Sequence, residues 1–180
     1  PGLPVETASS GIKAPQYFAP GVAGDHGEPI AQFIQVGSFL LPNNLSANAH
    51  GNGYADPNIL VPGIIDSVQV DGGAFNVREG DHSVDLAVTY AMRANSEPFA
   101  TFTADYRDVD LSVGWNWLAV EAAYGNGLLD ALEHRQQFKL NAVKSWDIGA
   151  HKLTLLGIGY YGQSKLPGLV PIGVPNLHDT

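Results

Sequence analysis

The sequence predicts a mainly β protein, with an α+β first half of short pieces and a second half that is an antiparallel meander. That meander shares the strand pattern of a transmembrane β-barrel. Three observations carry the prediction. Beyond residue 98, apolar and polar residues alternate with period two over five consecutive segments, the pattern of strands with one apolar face. Glycine (21) and proline (12) are abundant among the 180 residues, and only 15% are charged, against roughly 25% in soluble domains. Short and long connections also fall on opposite edges of the meander, as they do in outer-membrane barrels.

The elements follow in order. In residues 1–29, turns at Ala14-Pro15, Ala19-Pro20-Gly21 and Glu28-Pro29 leave no room for a long helix or strand. IAQFIQV (30–36) is a short strand closed by Gly37, and 39–42 is a second extended piece. Residues 43–58, NNLSANAHGNGYADPN, hold almost nothing to bury and form a long polar loop. At its end, Asp56-Pro57 supplies an N-cap acid and a first-turn proline, which predicts one helical turn over 58–61 before Pro62-Gly63 stops it. IIDSVQV (64–70) is the next strand. A turn at Asp71-Gly72-Gly73, a short extended piece over 74–78, a turn at Glu79-Gly80-Asp81 and a longer strand over 82–93 complete this half.

In the meander, Ala100, Phe102, Ala104 and Tyr106 alternate with Thr101, Thr103 and Asp105. Val109, Leu111, Val113 and Trp115 alternate with Asp110, Ser112 and Gly114. Leu118, Val120, Ala122 and Tyr124 face away from Glu121, which is expected to point into a lumen. Phe138, Leu140, Ala142 and Trp146 oppose Lys139, Asn141 and Ser145, and Leu156, Ile158 and Tyr160 oppose Gly157 and Gly159. The turns at Asn116-Trp117 and 147–150 are short and share one edge; 126–135 and the stretch after Gly162 are longer and share the other. The turn near Arg107-Asp108 is short despite lying on the long edge. Trp115, Trp117 and Trp146 all flank the short turns, while Tyr106, Tyr124, Tyr160 and Tyr161 sit toward the opposite edge, as two membrane-interface aromatic bands would. Periodicity alone leaves a second reading open: a secreted, soluble β-sandwich binding module whose aromatic rings pack a core or stack on glycans.

Composition excludes several function classes. A net charge of -9 without a cluster of Lys and Arg disfavours nucleic acid as a partner. The absence of cysteine removes disulfides, thiolate metal sites and a cysteine nucleophile. None of the six histidines is paired at i, i+4, and neither a nucleophile elbow nor a glycine-rich phosphate loop is present, so no catalytic residue, metal site or cofactor is expected. No apolar run approaches the ~18 residues of a membrane-spanning helix. Nor does Pro1 begin a signal peptide, so any export signal is expected to lie outside this sequence.

The stretch PNNLSANAHGNGYADPNILVP (42–62) resembles the plug domain of TonB-dependent receptors, the active transporters of the Gram-negative outer membrane. One branch of that family carries the His-Gly-x-Gly-Tyr-x-Asp pattern that stands here as His50-Gly51-Asn52-Gly53-Tyr54-Ala55-Asp56. Further along, 64–70 resembles a plug strand, Gly72 its glycine turn and Gly80-Asp81 the turn that follows. Asp71 and Gly73 depart from the family's basic residue and proline at those places. The resemblance implies a partial, plug-like α+β domain over 1–93 and, over 94–180, the first strands of a transmembrane β-barrel, which is incomplete at this chain length. Such a barrel has about 22 strands, so this chain is expected to be a fragment. It also implies an outer-membrane location, contact with outer-membrane lipid, and TonB as a partner through a Ton box not contained in this sequence. The substrate would be a scarce small molecule or oligosaccharide: an iron chelate, cobalamin, another metal complex or a glycan. On this reading the loop residues Asn43, Asn44, Asn48, His50, Asn52 and Tyr54 are the substrate-binding candidates, because they offer amide, imidazole and phenol groups to a polar ligand.

Overall fold

The computed structural model describes residues 5–6, 16–17, 30–42, 57–72, 76–79, 86–127 and 132–165. The described residues are mainly β, arranged as a small pair, a four-stranded sheet and a five-stranded sheet. β1 (Val5–Glu6) and β2 (Gln16–Tyr17) form the antiparallel pair.

The four-stranded sheet has the order β4-β3-β6-β5, from β3 (Ile30–Val36), β4 (Phe39–Pro42), β5 (Ile65–Gly72) and β6 (Leu86–Met92). Its two central strands are the chain's densest apolar runs, IAQFIQV and LAVTYAM, and they pair in parallel with Ile30 beside Leu86. A strand covered on both faces need not alternate, and residues 31–34 and 86–90 are accordingly all buried. The edge strands β4 and β5 are largely exposed. One face of this sheet packs Ala31, Phe33 and Ala87 against Leu40. The other buries Ile34, Val36, Leu86, Val88, Tyr90 and Met92 toward the five-stranded sheet.

Helical structure among the described residues is confined to three single 3-10 turns, Pro57–Ile59, Pro62–Ile64 and Val77–Glu79. The first answers the predicted helical turn. The second lies where the sequence predicted a stop, because Pro62 occupies a first-turn position that needs no backbone N–H. The third takes in residues 77 and 78 of the extended piece expected over 74–78, of which 74 and 75 lie outside the described residues. There the Asn76 side chain accepts from the Arg78 N–H at 3.2 Å and donates to the Glu79 carboxylate at 2.8 Å, coiling the chain locally.

The five-stranded sheet is an antiparallel meander in sequence order: β7 (Ser96–Ala104), β8 (Asp108–Asn116), β9 (Leu118–Gly125), β10 (Arg135–Ile148) and β11 (His151–Gln163). It is open, with β7 and β11 at its edges, and is not closed into a barrel. One hairpin turns through Asn116 in a left-handed conformation (φ 58°) and another through Gly149 (φ 61°). Register corrects one reading of the last strand. Trp146 lies opposite Leu153, Ala142 opposite Gly157 and Phe138 opposite Tyr161, so the face of Phe138 and Trp146 continues through Leu153, Leu155 and the two glycines. Leu156, Ile158 and Tyr160 lie on the other face, opposite Val143, Asn141 and Lys139.

The two faces of the meander differ in what covers them. The inner face meets the four-stranded sheet. Ala119 and Val143 join the shared core there, with Phe99, Leu156 and Ile158 packed against it. Phe99 lies between Gly63 and Gly114, and a Cβ on either glycine would overlap its ring. The outer face is apolar and uncovered: Phe102, Trp115 and Leu155 are 67%, 74% and 61% exposed, and Leu111, Phe138, Trp146, Ile148 and Leu153 are exposed beside them.

Candidate functional site

The inner face of the meander changes character along the strands. Nearest the short turns it is apolar and docked. Toward the long connections it becomes a wall of polar side chains, contributed by alternate residues of β7 to β10 as the two-residue period dictates. Thr101 and Thr103 of β7 lie opposite Ser112 and Asp110 of β8, and Glu121 of β9 lies opposite Lys139 of β10.

Asn141 stands at the boundary and is fully buried. Its Oδ1 accepts from the Val61 N–H at 2.6 Å, and its Nδ2 donates to the carbonyls of Ile59 and Leu140, each at 2.9 Å. One side chain on the meander therefore satisfies two backbone groups of the segment that carries the 3-10 turns. Buried backbone groups need such partners, and here the pairing also fixes where that segment docks.

Beyond Asn141, Lys139 Nζ lies 2.5 Å from Glu121 Oε1, with both side chains nearly buried. Further up, Arg135 Nη2 lies 3.2 Å from Asp108 Oδ1. That pair spans from β8 to β10 across Gly125 of β9, and a Cβ at Gly125 would overlap the Asp108 carboxylate. Glycine is required there because the ion pair closes over its backbone. At the rim, Arg107 donates to the Gly127 carbonyl at 3.1 Å and stacks over the Tyr106 ring at 5.2 Å. The wall thus presents paired charges, amides and hydroxyls, suited to line a polar space. Among the described residues no group of three or more His, Asp or Glu could hold a metal ion.

At the β7–β8 turn, the Asp105 carboxylate accepts from the N–H groups of Arg107 and Asp108, each at 2.7 Å. These two bonds, with a smaller contribution from Arg135, hold its carboxyl below the ordinary carboxylate range. A lowered folded-state pKa adds stability above the unfolded value and loses it as pH falls through the folded one. The excess stability of the wild type over Asp105→Ala is therefore expected to be present at neutral pH and to shrink below about pH 4. Urea unfolding of both proteins across that range checks it; a difference that does not change with pH contradicts it.

Of the residues singled out by sequence, Asn43, Asn44, Asn48, His50, Asn52 and Tyr54 lie outside the described residues. Trp115 and Trp146 stand on the outer face beside the short turns, and Trp117 is in one of them. Tyr124 is exposed on the same face at the opposite edge, and Tyr106 is exposed in the β7–β8 turn. Tyr160 is half-buried on the inner face, and it is Tyr161 that faces outward. The Asn141 clamp and the Asp108–Arg135 bridge were not anticipated. Their one signal in the sequence was parity, since each occupies the polar phase of its strand. No family model, curated protein or solved structure matches the chain.

Proposed function

We propose that the chain comprises a partial plug domain and the first barrel strands of a TonB-dependent outer-membrane receptor, which takes up a scarce substrate actively. The observation that carries the reading is the inverted polarity of the meander. Its outward face is apolar and left bare, while the inner face is apolar only where it meets the other sheet and carries polar and paired groups beyond that contact. A membrane-spanning barrel requires that arrangement, with lipid outside and a polar, plugged interior. A soluble sandwich requires polar outer faces, with its apolar residues packed between the two sheets. Here the second sheet covers the side of Ala119, Asn141 and Val143, and the opposite face stays apolar and exposed.

Within this reading the four-stranded sheet and its 3-10 turns act as the plug-like segment held to the barrel wall by Asn141. The polar wall above it faces the substrate path, and Asn43, Asn44, Asn48, His50, Asn52 and Tyr54 remain the candidates for contact with the substrate. The long connections face the exterior and the short turns the periplasm. No covalent chemistry is done on the substrate. Fractionation of cells producing the full-length protein tests the proposal: recovery in the outer membrane, released only by detergent, is expected. Recovery as soluble protein without detergent overturns it in favour of the secreted sandwich.

A further inference from the structure

On the bare outer face, one cation interrupts the apolar surface. Lys144 of β10 lies opposite Leu155, in the outward phase shared by Ala142 and Trp146. It is half-buried, and its ammonium forms no hydrogen bond or ion pair with any described residue. Trp117, Ala142, Lys144, Trp146 and Leu155 together line a depression of about 330 Å³. All but Lys144 are apolar or aromatic.

A lysine on a lipid-facing strand is costly unless its ammonium reaches a polar partner, and the cost falls toward the interface. The two tryptophans that line the depression with it mark an interfacial depth, where indole rings prefer to lie. We infer that Lys144, Trp117 and Trp146 form a binding site for the headgroup phosphate of an anionic phospholipid in the leaflet on the short-turn side. The ammonium pairs with the phosphate, the two indoles flank the headgroup, and Leu155 and Ala142 take the start of an acyl chain. The lysine stem packs along the apolar surface while its charge reaches outward. Charge complementarity selects the occupant: a neutral apolar partner would leave the ammonium unpaired, and a zwitterionic headgroup carries its own cation beside the phosphate.

This inference rests on the proposed membrane location, and the experiment separates the two. The full-length protein is reconstituted in phosphatidylcholine vesicles containing the same mole fraction of either brominated phosphatidylglycerol or brominated phosphatidylcholine, and tryptophan quenching is measured. Quenching by both lipids, stronger with phosphatidylglycerol, is expected. A basic residue near a membrane surface favours an anionic lipid by about fivefold, so Lys144→Gln should remove a preference of that size while Lys144→Arg keeps it. Equal quenching by the two lipids in the wild type, or an undiminished preference in Lys144→Gln, overturns the site and leaves the membrane reading intact. Absence of quenching by either lipid overturns both. Unquenched tryptophans in a species of twice the chain mass would give this face to a second copy and likewise overturn the site.

Discussion

Replacing Lys139 with methionine is expected to destabilise the protein by about 3–5 kcal/mol, the usual penalty for stripping one partner from a buried ion pair. The cause is the carboxylate left behind. Glu121 lies 2.5 Å from the ammonium, and both side chains are almost wholly withdrawn from solvent. Without Lys139 that carboxylate must either remain charged in a poorly solvated place or take up a proton. The double variant Glu121→Leu/Lys139→Met removes both charges at once and should recover most of the loss, because a buried pair contributes little beyond a well-packed apolar replacement. Urea unfolding of the wild type, both single variants and the double variant closes the cycle. A double variant no more stable than Lys139→Met would show that the lost stability came from packing of the lysine stem.

Asn141→Ala should have a comparable effect by another route. It leaves the Val61 N–H and the Ile59 carbonyl buried without their partners, at about 1–3 kcal/mol for each orphaned group. Asn141→Asp separates the two contributions. Its carboxylate still accepts from Val61 but cannot donate to Ile59, so the Val61 amide should stay protected from hydrogen exchange in Asp and exchange faster in Ala. Equal protection of that amide in all three proteins would refute the clamp.

How much of this was legible in the sequence depended on how locally each feature is encoded. The runs IAQFIQV and LAVTYAM announced strands because they are apolar and short, but their parallel pairing was not legible, since Ile30 meets Leu86 across two other strands and three 3-10 turns. The phases of β7 to β10 were legible from alternation. The phase of β11 was not: Leu153 and Leu155 are as apolar as Leu156 and Ile158, and Gly157 and Gly159 on the outer face look like the polar half of a pattern. The 3-10 turn at Val77–Glu79 was missed because its cause is a set of local bonds from Asn76 rather than a periodicity. Glu121 and Lys139 could be placed on the inner face by parity, yet their pairing needed the register of β9 against β10. The clamp at Asn141 joins residues 80 apart in the chain, beyond the reach of any local pattern.

That separation has a kinetic consequence. Every pairing in the meander joins strands adjacent in sequence, so it can assemble hairpin by hairpin with short loops to close. The parallel β3–β6 pair and the Asn141 contacts require long loops, whose closure entropy is lost before any contact repays it. The clamp is thus a late event in assembly, formed after the wall that carries it. A contact made late leaves the folding rate nearly untouched and acts on the rate of opening, so Asn141 governs how long the docked segment stays in place rather than how quickly it arrives.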